Sequence, residues 1–122
     1  MKQKVTELNC YFEERIAACD RRGQELLDDD RGDEAAFEKI KANVYDIFRT
    51  ILSVAVKICK GDPDAVEQFF LGKIKQIPAS WAVSLEKARQ NDDTTKMYLE
   101  LIKLDTVGEI QECFQKIWEG TK

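Results

Sequence analysis

Carboxylates are the side chains of this sequence whose spacing could support catalysis or metal binding. Asp105, Glu109 and Glu112 follow one another at intervals of four and three residues, which places them on one face of a helix. Acids arranged in this way can hold magnesium in small helical enzymes that act on nucleotides. This face points away from the apolar face that contains Val107 and Phe114. The pattern therefore predicts a solvated acidic stripe rather than a metal site, and no metal or cofactor is expected.

Histidine is absent from the sequence, and this absence excludes several kinds of active site. Ser-His-Asp and Cys-His nucleophiles, zinc sites that use histidine and His-ligated haem all require an imidazole. Cys10 and Cys19 lie nine residues apart, about 13 Å along one helix, so an all-thiolate zinc site is not expected either. The first fifteen residues lack the apolar segment of a signal peptide. We therefore expect free thiols and a cytoplasmic protein.

Composition is typical of one helical domain, and we expect residues 1–122 to form a single bundle. The chain is 43% hydrophobic and 34% charged, which is too apolar for a disordered protein. Its net charge is −4, and no cluster of lysines and arginines stands apart from acids, so nucleic-acid binding is not expected. No apolar run approaches the roughly 18 residues of a membrane span.

The elements that would position any site are all helices. Apolar residues recur every three or four positions, and each interruption carries residues that begin or end helices. Asp33, Asp62 and Asp93 are predicted N-caps, and Pro78 is predicted to break the third rod, with Ser80 capping a short helix after it. The pattern predicts about five helices, over residues 5–29, 33–60, 62–77, 80–90 and 93–119.

The short connections between these helices favour an antiparallel, up-down-up-down, all-α bundle, with a flatter stack of helix hairpins as the alternative. The second helix has the broadest apolar surface, about 200° of its circumference in its C-terminal half. Such a helix either lies at the centre of the bundle or contacts another molecule. Leu52, Val54 and Val56 on this helix, together with Trp81 and Trp118, are therefore the predicted partner-binding residues.

Three functions are compatible with these patterns. The first is a non-enzymatic module for protein–protein interaction, which could associate with itself. The second is a small-molecule-binding bundle whose pocket opens between Phe69–Phe70 and Trp81. The third is a magnesium-dependent phosphate-ester hydrolase, which would require Glu13, Glu109 and Glu112 to converge in a cleft. The first is favoured, because the sequence has surplus apolar surface and no catalytic constellation.

Overall fold

The computed structural model describes residues 2–119 and is all helical. Its four helices are α1 (Lys2–Asp28), α2 (Gly32–Ile58), α3 (Pro63–Gln90) and α4 (Thr94–Glu119). The predicted all-α class is confirmed, and no strand occurs within the described residues. The predicted number of about five helices is wrong. No helix in this part of the chain is long and apolar enough to cross a membrane.

Helix α3 runs without interruption through Pro78, so the predicted break at this residue is wrong. Proline removes one backbone N–H and crowds the carbonyl four residues earlier, at a cost of about 3 kcal/mol. The helix buries Ile74 before the proline and Leu85 after it, and this packing holds both halves in one rod. Ser80 does not cap a new helix, because its hydroxyl donates to the carbonyl of Ile77, 3.2 Å away.

Two of the three predicted N-caps are confirmed. The carboxylate of Asp62 accepts a hydrogen bond from the amide of Asp64 at 3.1 Å, and Pro63 follows the cap at the first helical position. The carboxylate of Asp93 accepts from the amide of Lys96, also at 3.1 Å. These bonds satisfy amides that have no partner within their own helix, and they fix where α3 and α4 begin.

Helix α2 begins one residue before the predicted cap. Gly32 is its first residue and Arg31 occupies the cap position without a side-chain cap bond, so Asp33 lies in the first turn. Arg31 instead pairs with Glu34. Each interhelical turn also contains a non-glycine residue in the left-handed region, namely Asp30 (φ 60°), Lys60 (φ 51°) and Asp92 (φ 53°).

The helices form two hairpins that pack together through α2 and α4. Helix α1 packs mainly on α2 and helix α3 mainly on α4, while α1 and α3 do not contact each other within the described residues. Lys4 near the start of α1 donates to the carbonyl of Trp118 near the end of α4. Phe37 and Tyr98, near the starts of α2 and α4, stack at 5.6 Å. Helices α2 and α4 thus each touch the three other helices.

The core lies around the C-terminal half of α2. Phe70 of α3 forms its centre, since its ring lies 5.9 Å from Phe48 and 4.4 Å from Phe114 between ring centroids. The largest fully buried side chains come from all four helices and are Tyr45, Phe12, Phe48, Phe70, Phe114, Leu8, Leu52, Ile110, Val44 and Val66.

Candidate interaction surface

Four apolar residues on α2 form a line along the border of the core, and we call them the outer stripe: Ile47, Ile51, Val54 and Ile58. Ile51 also packs against the core cluster. Ile47 is 39% exposed, Val54 40% and Ile58 61%, while Ile51 is half-buried. Successive members are four, three and four residues apart, so they lie on one face of the helix over about 17 Å. All four are β-branched and conformationally stiff, so a partner would order them at small entropic cost.

Two further rows of α2 run beside the outer stripe with the same spacing. The residues that follow its members form the core row of Phe48, Leu52, Ala55 and Cys59; the first three are fully buried and Cys59 is half-buried. The residues that precede its members form the polar row of Asp46, Thr50, Ser53 and Lys57, all exposed. The outer stripe therefore lies between the core and a polar edge, and among the described residues the neighbouring helices leave Ile47, Val54 and Ile58 exposed.

The structure separates the predicted partner-binding residues into two groups. Leu52 is fully buried and Trp118 is only 5% exposed, so neither side chain is available to a partner and both belong to the core. Leu52 belongs to the core row, and the ring of Trp118 stacks on Phe114 at 5.0 Å. Val54 is exposed, while Val56 and Trp81 are half-buried against the core cluster. A contact role for these last three residues stays a prediction.

Helical periodicity alone places Ile47, Ile51 and Ile58 on the same broad apolar side of α2 as Phe48 and Ala55. Ile47 and Ile58 point outward, and Ile51 lies at the boundary. Their spacing was visible in the sequence. An apolar arc of about 200° does not reveal which part of it neighbouring helices cover, because that depends on where those helices pack.

A hydrogen-bonded chain across α1, α2 and α4 is the second feature of interest. The buried Tyr45 hydroxyl donates to a carboxylate oxygen of Glu109 at 2.9 Å and accepts from Nε of Arg15 at 3.3 Å. Burial raises the pKa of Tyr45, and burial beside it raises the pKa of Tyr11, whose ring meets Tyr45 edge-on at 6.0 Å. The chain ties three helices together.

The acidic residues proposed for catalysis do not converge. Glu109 and Glu112 line one shallow groove, of about 380 Å³, but they share it with the cations Arg15 and Lys116. Glu13 is exposed, and no group of three or more cysteine, aspartate and glutamate side chains is placed to hold a metal ion among residues 2–119. The groove therefore brings both charges together at the surface.

One buried carboxylate was not anticipated from the sequence. Glu100 of α4 is only 5% exposed, and its oxygens lie 3.2 and 3.4 Å from Nζ of Lys103. The same ammonium lies 5.4 Å from the ring centre of Trp81 on α3. Lys103 therefore neutralises a buried acid and links α3 to α4. The sequence does show that Glu100 and Lys103 are three residues apart, a spacing that allows an ion pair on a helix. Exposed ion pairs have the same spacing, so it does not reveal that Glu100 is buried.

Of the residues predicted to form the mouth of a ligand pocket, Phe70 belongs to the core, whereas Phe69 and Trp81 are half-buried. Phe70 is fully buried between Phe48 and Phe114, which leaves no opening at that residue. The largest groove described here lies elsewhere, between the starts of α2 and α4, with a volume of about 640 Å³. Phe37 and Tyr98 line it, and Tyr98 is 62% exposed.

Comparisons of the chain with protein-family models, with curated proteins and with solved structures find no match. Functional inference therefore depends on the surfaces of the molecule itself. Among the surfaces described above, the outer stripe is the longest line of exposed apolar side chains on one helix.

Proposed function

We propose that this chain is a non-enzymatic module that acts by protein–protein contact, with the outer stripe of α2 as its contact surface. The observation that carries the proposal is the line of four β-branched apolar residues on α2, of which three are at least 39% exposed. The same helix also contributes Phe48 and Leu52 to the core. Isolated exposed apolar residues are common on proteins, but an aligned row on one helix is typical of a helix-in-groove or helix-to-helix interface.

Covering the exposed apolar surface of the outer stripe would stabilise a complex, whereas the folded bundle leaves this surface in water. Each exposed member of the outer stripe would release about 1 kcal/mol if a partner covered its remaining apolar surface. The stripe therefore fits an apolar helix face of another molecule, bordered by groups that complement the polar row. Free cysteines favour placing this module in the cytoplasm, where thiols stay reduced.

The proposal can be tested by capture from native extract with a matched control. Ile58 and Val83 are both large, exposed apolar residues, 61% and 57% exposed, but only Ile58 belongs to the outer stripe. We expect immobilised wild-type protein and Val83→Asp to retain the same protein, and Ile58→Asp to lose it. Quantitative mass spectrometry measures the retention.

Retention that Ile58→Asp leaves unchanged would refute a contact role for the outer stripe. Circular dichroism and thermal melting of each variant establish that the aspartate has not unfolded the bundle. Because both substitutions add the same charge to a helix surface, a difference between them reports on position alone.

A small-molecule site is the second candidate, favoured by the groove between α2 and α4. The rings of Phe37 and Tyr98 stack at 5.6 Å and 18°, and the exposed face of Tyr98 could receive a flat aromatic ligand. Titration with an anilinonaphthalene dye, followed by fluorescence, tests this. Saturable binding that Tyr98→Ala abolishes supports the site, and binding that survives the substitution argues against it.

A further inference from the structure

We infer that the partner of the outer stripe is a second copy of this chain, with the two α2 helices packed antiparallel. The inference rests on the proposed function and adds the identity of the partner. It is carried by two properties of α2, the order of the spacings and the order of the charges.

The spacing of the outer stripe reads the same from either end. Its members are four, three and four residues apart, so an antiparallel copy brings each of them opposite another member. Ile47 lies opposite Ile58 of the second copy, and Ile51 lies opposite Val54. No apolar residue of the outer stripe is then left facing water or a polar group.

The polar row is complementary to itself when the outer stripes pack antiparallel. The two polar rows then lie on the same flank, and Asp46 lies about 3 Å along the helix axis from the level of Lys57 of the second copy, within reach of the long lysine side chain. Thr50 and Ser53 of the second copy have the same relation. Two opposite-charge pairs form, one at each end, and two pairs of hydroxyl groups lie between them. Parallel packing would instead place the two polar rows on opposite flanks of the contact, so Asp46 and Lys57 would have no opposite charge of the polar row across from them.

The length of the outer stripe limits the strength of the dimer. A single pair of helices in contact over about 17 Å buries less surface than the roughly 1,200 Å² of a standard stable interface. The pair is therefore a weak dimer that dissociates on dilution through the micromolar range. Asp46 already holds Arg49 at 2.5 Å, so its carboxylate is fixed at the edge of the contact and accepts Lys57 of the second copy as an additional cation.

Sedimentation velocity over a range of protein concentrations tests the inference, with charge reversals as the variants. Asp46→Lys alone or Lys57→Glu alone turns two attractive pairs into two repulsive ones, and we expect dimerisation to weaken about tenfold. The double variant restores opposite charges and should recover the wild-type dissociation constant. Raising the salt concentration should reduce these differences. Single reversals that leave dimerisation unchanged, or a double variant that does not recover it, would overturn the antiparallel register.

Cysteine crosslinking tests the register without relying on charge. In a background in which serine replaces Cys10 and Cys59, Ile47→Cys protein mixed with Ile58→Cys protein should form a mixed disulfide, and either protein alone should not. Disulfides within each single-variant sample would show parallel packing.

The two proposals fail in distinguishable ways. If wild-type protein sediments as a monomer throughout and the capture experiment still retains a different protein through Ile58, the partner is not a second copy and the contact role survives. If neither dimerisation nor capture depends on Ile58, both proposals are wrong.

Discussion

Replacing Tyr45 with phenylalanine removes one oxygen atom from the only fully buried tyrosine among residues 2–119. The ring fills the same space, so the packing of the core is preserved. What disappears is the donor to Glu109 at 2.9 Å and the acceptor for Arg15 at 3.3 Å. The variant therefore isolates the hydrogen bonds that connect α1, α2 and α4.

The expected loss of unfolding free energy is about 1–2 kcal/mol. A hydrogen bond to a charged group contributes roughly 1.5–3 kcal/mol when its partner stays buried after the deletion. Glu109 and Arg15 are both exposed, so water can replace the lost hydroxyl for each of them, and this reduces the effect. The longer bond, from Arg15, contributes the smaller share.

Urea unfolding followed by circular dichroism measures this loss. Tyr98→Phe is the matched control, because it deletes a hydroxyl from an exposed tyrosine, and its effect should stay within about 0.5 kcal/mol of zero. Adding Glu109→Ala, which removes the acceptor, to wild type and to Tyr45→Phe completes a double-mutant cycle, and we expect a coupling of about 1 kcal/mol between the two positions. A Tyr45→Phe variant as stable as wild type, or a coupling near zero, would refute a stabilising role for the interhelical chain.

Three further predictions follow from the buried groups and the turns. Burial raises the pKa of Cys19 to about 11 and also raises the pKa of Tyr11, so as pH rises the unfolded chain loses these protons before the folded chain does. The free energy of unfolding, measured with urea, should therefore fall as pH rises from about 9 to 11. The fall should be less steep in Cys19→Ala. A pH-independent midpoint over this range would contradict this. Lys103→Met should lower the free energy of unfolding by about 1–3 kcal/mol, because it leaves the carboxylate of Glu100 buried without its cation. Adding Glu100→Gln to this variant should restore part of the loss. Thermal melting of the single and double variants checks this, and equal melting temperatures would argue against the pairing. Asp92→Gly should raise the free energy of unfolding by about 0.5–1 kcal/mol, because φ at this position is 53° and glycine adopts this left-handed conformation without strain. A loss of stability in urea unfolding would mean that the Asp92 side chain contributes more than its backbone strain costs.

Local chemistry explains which parts of the fold could be predicted from the sequence. The helices and the caps at Asp62 and Asp93 depend on residues close together in the chain, and the structure confirms them. Pro78 follows a local rule too, but the packing of Ile74 and Leu85 against other helices outweighs it. Such packing energy is a property of the whole bundle and cannot be read from the residues around a proline.

The candidate site was harder to predict, because it depends on which helix covers which face. Leu52 and Ile58 are equivalent in hydrophobicity and lie six residues apart, yet one is fully buried and the other is 61% exposed. Glu100 and Tyr45 posed the same difficulty, since their surroundings come from other helices. The periodicity of a sequence gives the spacing of a stripe, whereas its exposure follows from the tertiary arrangement.

Nuclear Overhauser contacts between copies provide the most direct measurement of the central claim. A sample that mixes copies with isotope-labelled isoleucine methyl groups and unlabelled copies reports contacts between molecules alone. We predict contacts between the methyl groups of Ile47 in one copy and Ile58 in the other, at concentrations where sedimentation shows the dimer. Contacts that join Ile47 to Ile47, or a dimer whose intermolecular contacts all lie away from the outer stripe, would contradict the account.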